Sequence, residues 1–262
     1  MDSGVMKYEA GEGRAEAYFA DAGRGAPAVL VLHEVWGMTP FVRSVCSELA
    51  AVGFSAFAPD LYWRDKELFT GRNIREAMEI VWDLPLAERF DADKLSSAVR
   101  KGGASPEART LLAKLYAKSF RSLLSGDVRV LARAIGDRSP SIGVIGYSMG
   151  GGFALRLAVG FENLRACVTF SSEPPSGAEL AKIHSPMMSF YGSEDRFMAE
   201  RVPTFVAEAL RLGRRLTLQL YPGAGHEFFN KDDVGYEPVA AADSWAAVIR
   251  FLDERLRRTG SR

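Results

Sequence analysis

Cysteine is nearly absent from these 262 residues, with two in the whole chain, and histidine is little commoner, with three. Cys46 and Cys167 cannot define a disulfide framework and fall in no metal-ligand spacing, so a reducing compartment is expected. His33, His184 and His226 are scattered without ligand spacing, and neither a metal nor another cofactor is expected. An excess of one charge is also missing: 33 basic and 33 acidic side chains cancel to a formal net charge of zero. Without a cationic surplus, a dedicated nucleic-acid binder and a polybasic membrane-surface protein are excluded for the chain as a whole. No run of about 18 apolar residues occurs, and the first nine residues hold no apolar signal core. The expectation is therefore a cytoplasmic protein. Repeats, low-complexity tracts and linkers are missing as well, so residues 1–262 are expected to form one domain.

What is present is an ordinary globular composition, 47% hydrophobic and 25% charged, enough to bury a core. Short apolar runs alternate with longer amphipathic stretches, the pattern of βαβ units around a mainly parallel sheet, so the fold class is α/β. Strands are expected over 28–33, 54–58, 141–146, 166–170, 187–191 and 216–221, their near-continuous apolar content suiting strands covered on both faces. Helices are expected over 41–51, 75–82, 106–134, 151–159, 202–212 and 239–257. From about 62 to 134 no strand is expected; this helical insertion reads either as surface helices or as a cap over a pocket.

The strongest chemical signal is Gly146-Tyr147-Ser148-Met149-Gly150 at the end of an apolar strand and the start of a small-residue helix. That context makes G-x-S-x-G a nucleophile elbow, with Ser148 on a tight turn and the following helix N-terminus aimed at a developing oxyanion. A serine hydroxyl needs a base. His226, in the glycine-rich stretch Pro222-Gly223-Ala224-Gly225-His226 after the last expected strand, is the candidate. His33 reads as a loop-organising residue, and His184 precedes its strand and so falls at the wrong end of a parallel sheet. The acid that orients the imidazole is sought after the 187–191 strand, where Glu194 and Asp195 both occur; Asp195, with the shorter side chain, is preferred and Glu194 is the fallback. The resulting order of nucleophile, acid and histidine is that of α/β-hydrolase triads. The Val35 and Met149 N–H groups are the expected oxyanion donors, each worth about 2.7–4 kcal/mol in such sites.

With these blocks in view, the sequence resembles the dienelactone hydrolase family over about residues 27–255. The resemblance rests on His33-Glu34-Val35-Trp36-Gly37, Ala58-Pro59-Asp60-Leu61-Tyr62, the elbow, Gly192-Ser193-Glu194-Asp195, and Gly223-Ala224-Gly225-His226. It implies an α/β-hydrolase fold and a cofactor-free hydrolase of small esters or lactones. It also matches Glu34 to a family glutamate beside the nucleophile and Arg43 to an arginine downstream. Two positions depart from the family pattern. Ser148 stands where the dienelactone hydrolases proper have cysteine, so His226 must act as general base and Glu34 loses its part in forming a thiolate. Asn230 stands where the family places an arginine for the substrate carboxylate, with Arg75 and Lys231 as conceivable substitutes. The expectation moves toward neutral or weakly polar esters.

Glu34, Trp36, Arg75, Phe197 and Phe228 are the candidate substrate contacts, with Phe69 and Trp82 as further aromatic candidates for pocket walls. Two other readings stay open: thioester hydrolysis or acyl transfer on the same three residues, and a non-catalytic binding protein on the same fold. Oligomeric state is not legible.

Overall fold

A computed structural model describes residues 2–11, 13–84, 88, 92–101, 103–139 and 141–257. The chain opens with a hairpin, β1 (Asp2–Ala10) and β2 (Gly13–Asp21). It then runs β3 (Ala28–Leu32), α1 (Pro40–Ala51) and β4 (Ser55–Pro59) into four consecutive helices, α2 (Gly71–Trp82), α3 (Ala92–Lys101), α4 (Pro106–Tyr116) and α5 (Lys118–Gly136). The remainder alternates: β5 (Ile142–Tyr147), α6 (Met149–Ala158), β6 (Leu164–Phe170), α7 (Gly177–Leu180), β7 (Met187–Gly192), α8 (Arg196–Ala199), α9 (Val202–Arg211), β8 (Leu216–Tyr221) and α10 (Pro238–Leu252). A π-helical segment, Asp253–Arg257, ends the described chain.

All eight strands join one sheet in the order β1-β2-β4-β3-β5-β6-β7-β8. From β4 to β8 every pairing is parallel, while β1–β2 and β2–β4 are antiparallel. The strand β3 shows how the sheet divides the core. Its five residues are all buried, but Leu30 and Leu32 pack with Phe153, Leu124 and Leu131 of α6 and α5. Val29 and Val31 face the opposite way, onto Val42 and Leu49 of α1 and Val248 of α10. Alternation along a strand therefore feeds two apolar layers, one on each face.

The six expected strands are β3 to β8, displaced by at most two residues at their ends. The hairpin β1–β2 lies outside that expectation. Ala15 and Ala17 are fully buried on one face of β2 and Ala20 on the other, and alanine gives a weak alternation signal. The helix expected over 106–134 is two helices. Ala117 is extended, with φ −69° and ψ 125°, and the Leu115 carbonyl that the break frees accepts a bond from Arg121 Nε at 2.9 Å. No glycine or proline marks the bend, so nothing local in the sequence announces it. Helix α3 was not expected. Among the described residues no helix is long and apolar enough to cross a membrane.

Candidate active site

Ser148 links β5 to α6 at the carboxyl end of the parallel strands. Its backbone has φ 48° and ψ −114°, a region that non-glycine residues rarely occupy and that costs on the order of 1–3 kcal/mol. The strain is held by packing on both sides. A β-carbon on Gly146 would overlap the Gly150 carbonyl, and one on Gly150 would overlap the Leu32 carbonyl. The Ser148 N–H is also tied to the Phe170 carbonyl at 2.8 Å. The motif spacing is thus a steric requirement: strand and helix approach too closely for any side chain at either glycine.

The loops after β7 and β8 deliver the other two groups. Ser148 Oγ lies 2.8 Å from His226 Nε2, and His226 Nδ1–H donates to Asp195 Oδ2 at 2.5 Å. With Nδ1 carrying the proton, Nε2 is free to accept from the hydroxyl. Burial pulls the proton affinity of His226 down, but the hydrogen bond and charge of Asp195, with Glu227 and Asp233 behind it, outweigh burial, and the net shift is upward. The two loops are pinned together: the Gly223 N–H donates to Ser193 Oγ at 2.8 Å and the Glu194 N–H to the Ala224 carbonyl at 2.9 Å. The Glu194 side chain itself is exposed, so Asp195 rather than the fallback meets the imidazole.

Val35 and Met149 line the same cavity as Ser148. Among the described residues neither backbone N–H is taken by a protein acceptor. The cavity has a volume of about 180 Å³. Its walls are chiefly apolar, from Met78 of α2, Leu115 of α4, Phe120 and Leu124 of α5, and Met198. Residues of the 62–134 insertion therefore wall the cavity that holds Ser148, the arrangement of the cap reading. Arg121 and Arg156 supply cationic groups to the same wall. A larger cavity, about 460 Å³, opens beside His184 and Arg215 where β7 and β8 begin, away from the elbow.

A profile of the dienelactone hydrolase family matches residues 15–256. The chain belongs to the dienelactone hydrolase family. A Saccharolobus solfataricus protein, provisionally named a carboxymethylenebutenolidase, is 28% identical over 94% of this chain and 96% of its own length. Carboxymethylenebutenolidase 1 of Cupriavidus pinatubonensis is 25% identical over 87% of this chain and 86% of its own. Among solved structures, a dienelactone hydrolase-like promiscuous phosphotriesterase from metagenomic libraries superposes with a TM-score of 0.69 at 21% identity, covering 97% of this chain and 98% of that one. The acylaminoacyl peptidase of Pyrococcus horikoshii gives 0.66 at 10% identity, with all of this chain on 42% of that one. These two likenesses establish the α/β-hydrolase fold.

Within this dienelactone hydrolase family member, several expected substrate contacts lie elsewhere. Phe228 is fully buried among Phe170, Tyr221 and Phe229, as core packing. Trp36 packs against Trp82, ring centroids 5.6 Å apart, and is not on the cavity wall. Arg75 is exposed on the outer face of α2 near Arg72 and Glu79, where solvation is cheapest for a charge. Lys231 sits 4.0 Å from Glu48 at the surface, and Phe69 stacks on Tyr62 in the core. Glu34 is fully buried and hydrogen-bonded by Asn230 Nδ2 at 3.3 Å, so it lies behind the site rather than on its wall. The Phe197 side chain lies outside the described residues. His33 is the loop organiser expected: Nδ1–H donates to the Glu34 carbonyl at 2.5 Å and Nε2 accepts from the Leu61 N–H at 3.1 Å.

Three supporting residues escaped the sequence reading. The Tyr62 hydroxyl donates to the Val35 carbonyl at 2.9 Å, which fixes the peptide next to one candidate oxyanion donor. Ser171, at the end of β6 with φ 46°, donates through Oγ to the His226 carbonyl at 2.7 Å. Arg121, half buried, has its proton affinity lowered by burial and by the charge of Arg156. Tyr62 closes one of the blocks that carry the family resemblance, without a role being read from it, and Ser171 is a small polar residue just past a strand end at the carboxyl edge.

Proposed function

We propose that this protein hydrolyses small carboxylic esters or lactones through an acyl-enzyme formed on Ser148, with the whole chain acting as one domain. The observation that carries this reading is the unbroken relay from Asp195 Oδ2 through His226 to Ser148 Oγ, at 2.5 and 2.8 Å, beside a lined cavity. His226 Nε2 takes the hydroxyl proton as Ser148 Oγ adds to the carbonyl carbon, and the Asp195 carboxyl holds the resulting imidazolium. The Val35 and Met149 N–H groups receive the carbonyl oxygen as it becomes an oxyanion. His226 then returns the proton to the departing alkoxide. Water, deprotonated by the same nitrogen, cleaves the acyl-enzyme.

Arg121, half buried and with its proton affinity lowered by burial and by the charge of Arg156, supports an acid or alcohol part that carries negative charge, since an anion beside it would offset that cost. Exposed Arg156 adds a second cation and Glu173 an opposing charge on the same wall. The expected preference for neutral esters rested on Asn230 alone, and the fold brings cations to the cavity from α5 and α6 instead. Both cysteines are buried and unpaired, which suits a reducing compartment, and we place the protein in the cytoplasm on that basis. Ser148→Ala is expected to lower kcat on p-nitrophenyl acetate on the order of 10⁵-fold and to abolish labelling by a serine-directed phosphonate. A variant that kept most of its turnover would remove Ser148 from the mechanism.

A further inference from the structure

Glu34 and Glu227 are acids for which the proposed reaction has no use, and each leaves a buried oxygen unpartnered: Glu34 Oε1 and Glu227 Oε2. The two residues meet around Asn230, whose Nδ2 donates to Glu34 Oε2 at 3.3 Å and whose backbone N–H donates to the Glu227 carbonyl at 2.9 Å, and the Glu227 carboxyl weighs on the Glu34 proton. Two acceptors facing each other cannot both be satisfied unless a proton sits between them. Its position follows from the neighbours. The Asn230 amide is oriented by the Asp232 N–H, which donates to Asn230 Oδ1 at 3.0 Å, so Nδ2 must donate to Glu34 Oε2. Glu34 Oε2 is therefore an acceptor, and the proton goes to Glu34 Oε1 rather than to Glu227 Oε2 because Glu34 is fully buried while the Glu227 side chain keeps 21% of its surface exposed, so the charge is cheaper on Glu227. One O–H···O bond to Glu227 Oε2 then satisfies both orphaned atoms. The other oxygen of Glu227, Oε1, lies 4.0 Å from His226 Nε2, the nitrogen that moves the proton in the proposed reaction.

We propose that Glu34 and Glu227 share one proton, held on Glu34, and that the remaining negative charge, on Glu227, sets the pH range over which His226 acts as a base. The inference rests on the proposed triad for its functional half and on the buried geometry alone for its proton-sharing half. Both glutamates are positioning residues. The surroundings favour a single proton: Asp233 adds negative charge, Tyr147 of β5 and His33 are buried beside Glu34, and Glu48 of α1 faces Lys231. Among the described residues no lysine or arginine makes an ion pair with Glu34 or Glu227. Burial, then the charge and hydrogen bond of Glu227, then Asp233 hold the Glu34 proton far above the usual carboxylate range, against a smaller opposing effect from Asn230.

The sign of the pH dependence follows. A carboxyl whose proton affinity is raised by folding contributes stability that is complete at low pH and lost as pH climbs through its folded value. The test compares wild type, Glu34→Gln and Glu227→Gln by thermal unfolding from pH 5 to 9 at constant ionic strength, and by kcat/KM on p-nitrophenyl acetate over the same range. Glu34→Gln keeps a donor toward Glu227 and has no proton to lose, so its Tm is expected to stay level at high pH while that of wild type falls. Glu227→Gln removes a charge near Nε2 and is expected to move the acid limb of kcat/KM down by about 0.5–1 pH unit. Parallel Tm curves for wild type and Glu34→Gln, or an unmoved acid limb in Glu227→Gln, overturn the proposal. If Glu227→Gln fails to fold, the Glu34→Gln comparison decides. Failure of a phosphonate to label wild-type Ser148 would overturn the triad instead, and the Tm curves would still decide whether the proton is shared.

Discussion

Ser148 and Tyr62 illustrate how a single residue can matter through geometry that its type alone does not reveal. Ser148 is held in a strained conformation because its neighbours leave no alternative: glycines on either side admit close backbone contacts, and the Phe170 carbonyl takes its N–H. Tyr62, buried and 27 residues past Val35 in the chain, acts through its hydroxyl, which donates to the Val35 carbonyl and also lies 3.7 Å from Met149 Sδ. Its ring also stacks on Phe69 with centroids 4.0 Å apart, so removing only the hydroxyl isolates the bond from the packing. Tyr62→Phe is expected to cost about 1 kcal/mol of stability, the usual net value of such a hydrogen bond. It should also lower kcat several-fold with little change in KM, as the Val35 peptide loosens. An unchanged kcat would detach the hydroxyl from the candidate oxyanion donor at Val35.

At the scale of elements, the insertion is organised by the bend between α4 and α5. Ala117 turns the chain, and Arg121 caps the freed Leu115 carbonyl while its ring neighbour Tyr116 lies 5.3 Å below the guanidinium. The same bend places Leu115, Phe120 and Arg121 on the wall of the cavity that holds Ser148. Arg121→Ala is expected to raise KM for a carboxylate-bearing ester about tenfold relative to its neutral methyl ester, the scale of one charge-assisted hydrogen bond. Equal changes for both esters would assign Arg121 to the bend alone. The start of the helix at 106 was readable, since Ser105 accepts from the Ala108 N–H at 3.1 Å and Pro106 opens it; its end at Tyr116 was not, the expected helix running on to 134. The bend was not readable, because the extended Ala117 depends on what α5 meets when it reaches the sheet.

Across the whole molecule, the insertion is tied to the amino-terminal hairpin and the segment after β4 by a buried cluster. Asp127 of α5 receives bonds from Arg64 and, at 3.0 Å, from Trp63 Nε1, and Arg64 also reaches the Ala10 carbonyl of β1 at 3.3 Å. Asp127→Ala would strand a largely buried guanidinium and is expected to cost about 3 kcal/mol, seen as a Tm lower by about 6–10 °C. A loss below about 1 kcal/mol would mean that solvent already screens the pair. These long-range ties are what sequence reading could not supply. Six parallel strands, the elbow and the order of Ser148, Asp195 and His226 were legible because each is written in a contiguous pattern: apolar runs for strands covered on both faces, and glycine where backbones touch. The antiparallel hairpin was faint because alanine fills most of its buried positions. The cavity wall was misassigned, with Phe228 in the core, Arg75 at the surface and Arg121 and Arg156 unsuspected, because a side chain's destination depends on which elements the sheet brings beside it. By itself, then, the sequence determined the local chemistry and the parallel sheet, whose steric and periodic rules act over a few residues. Only the tertiary structure decided which charges line the cavity and which acids are buried together, since those depend on distances between segments up to about 200 positions apart, as Glu34 and Asn230 are.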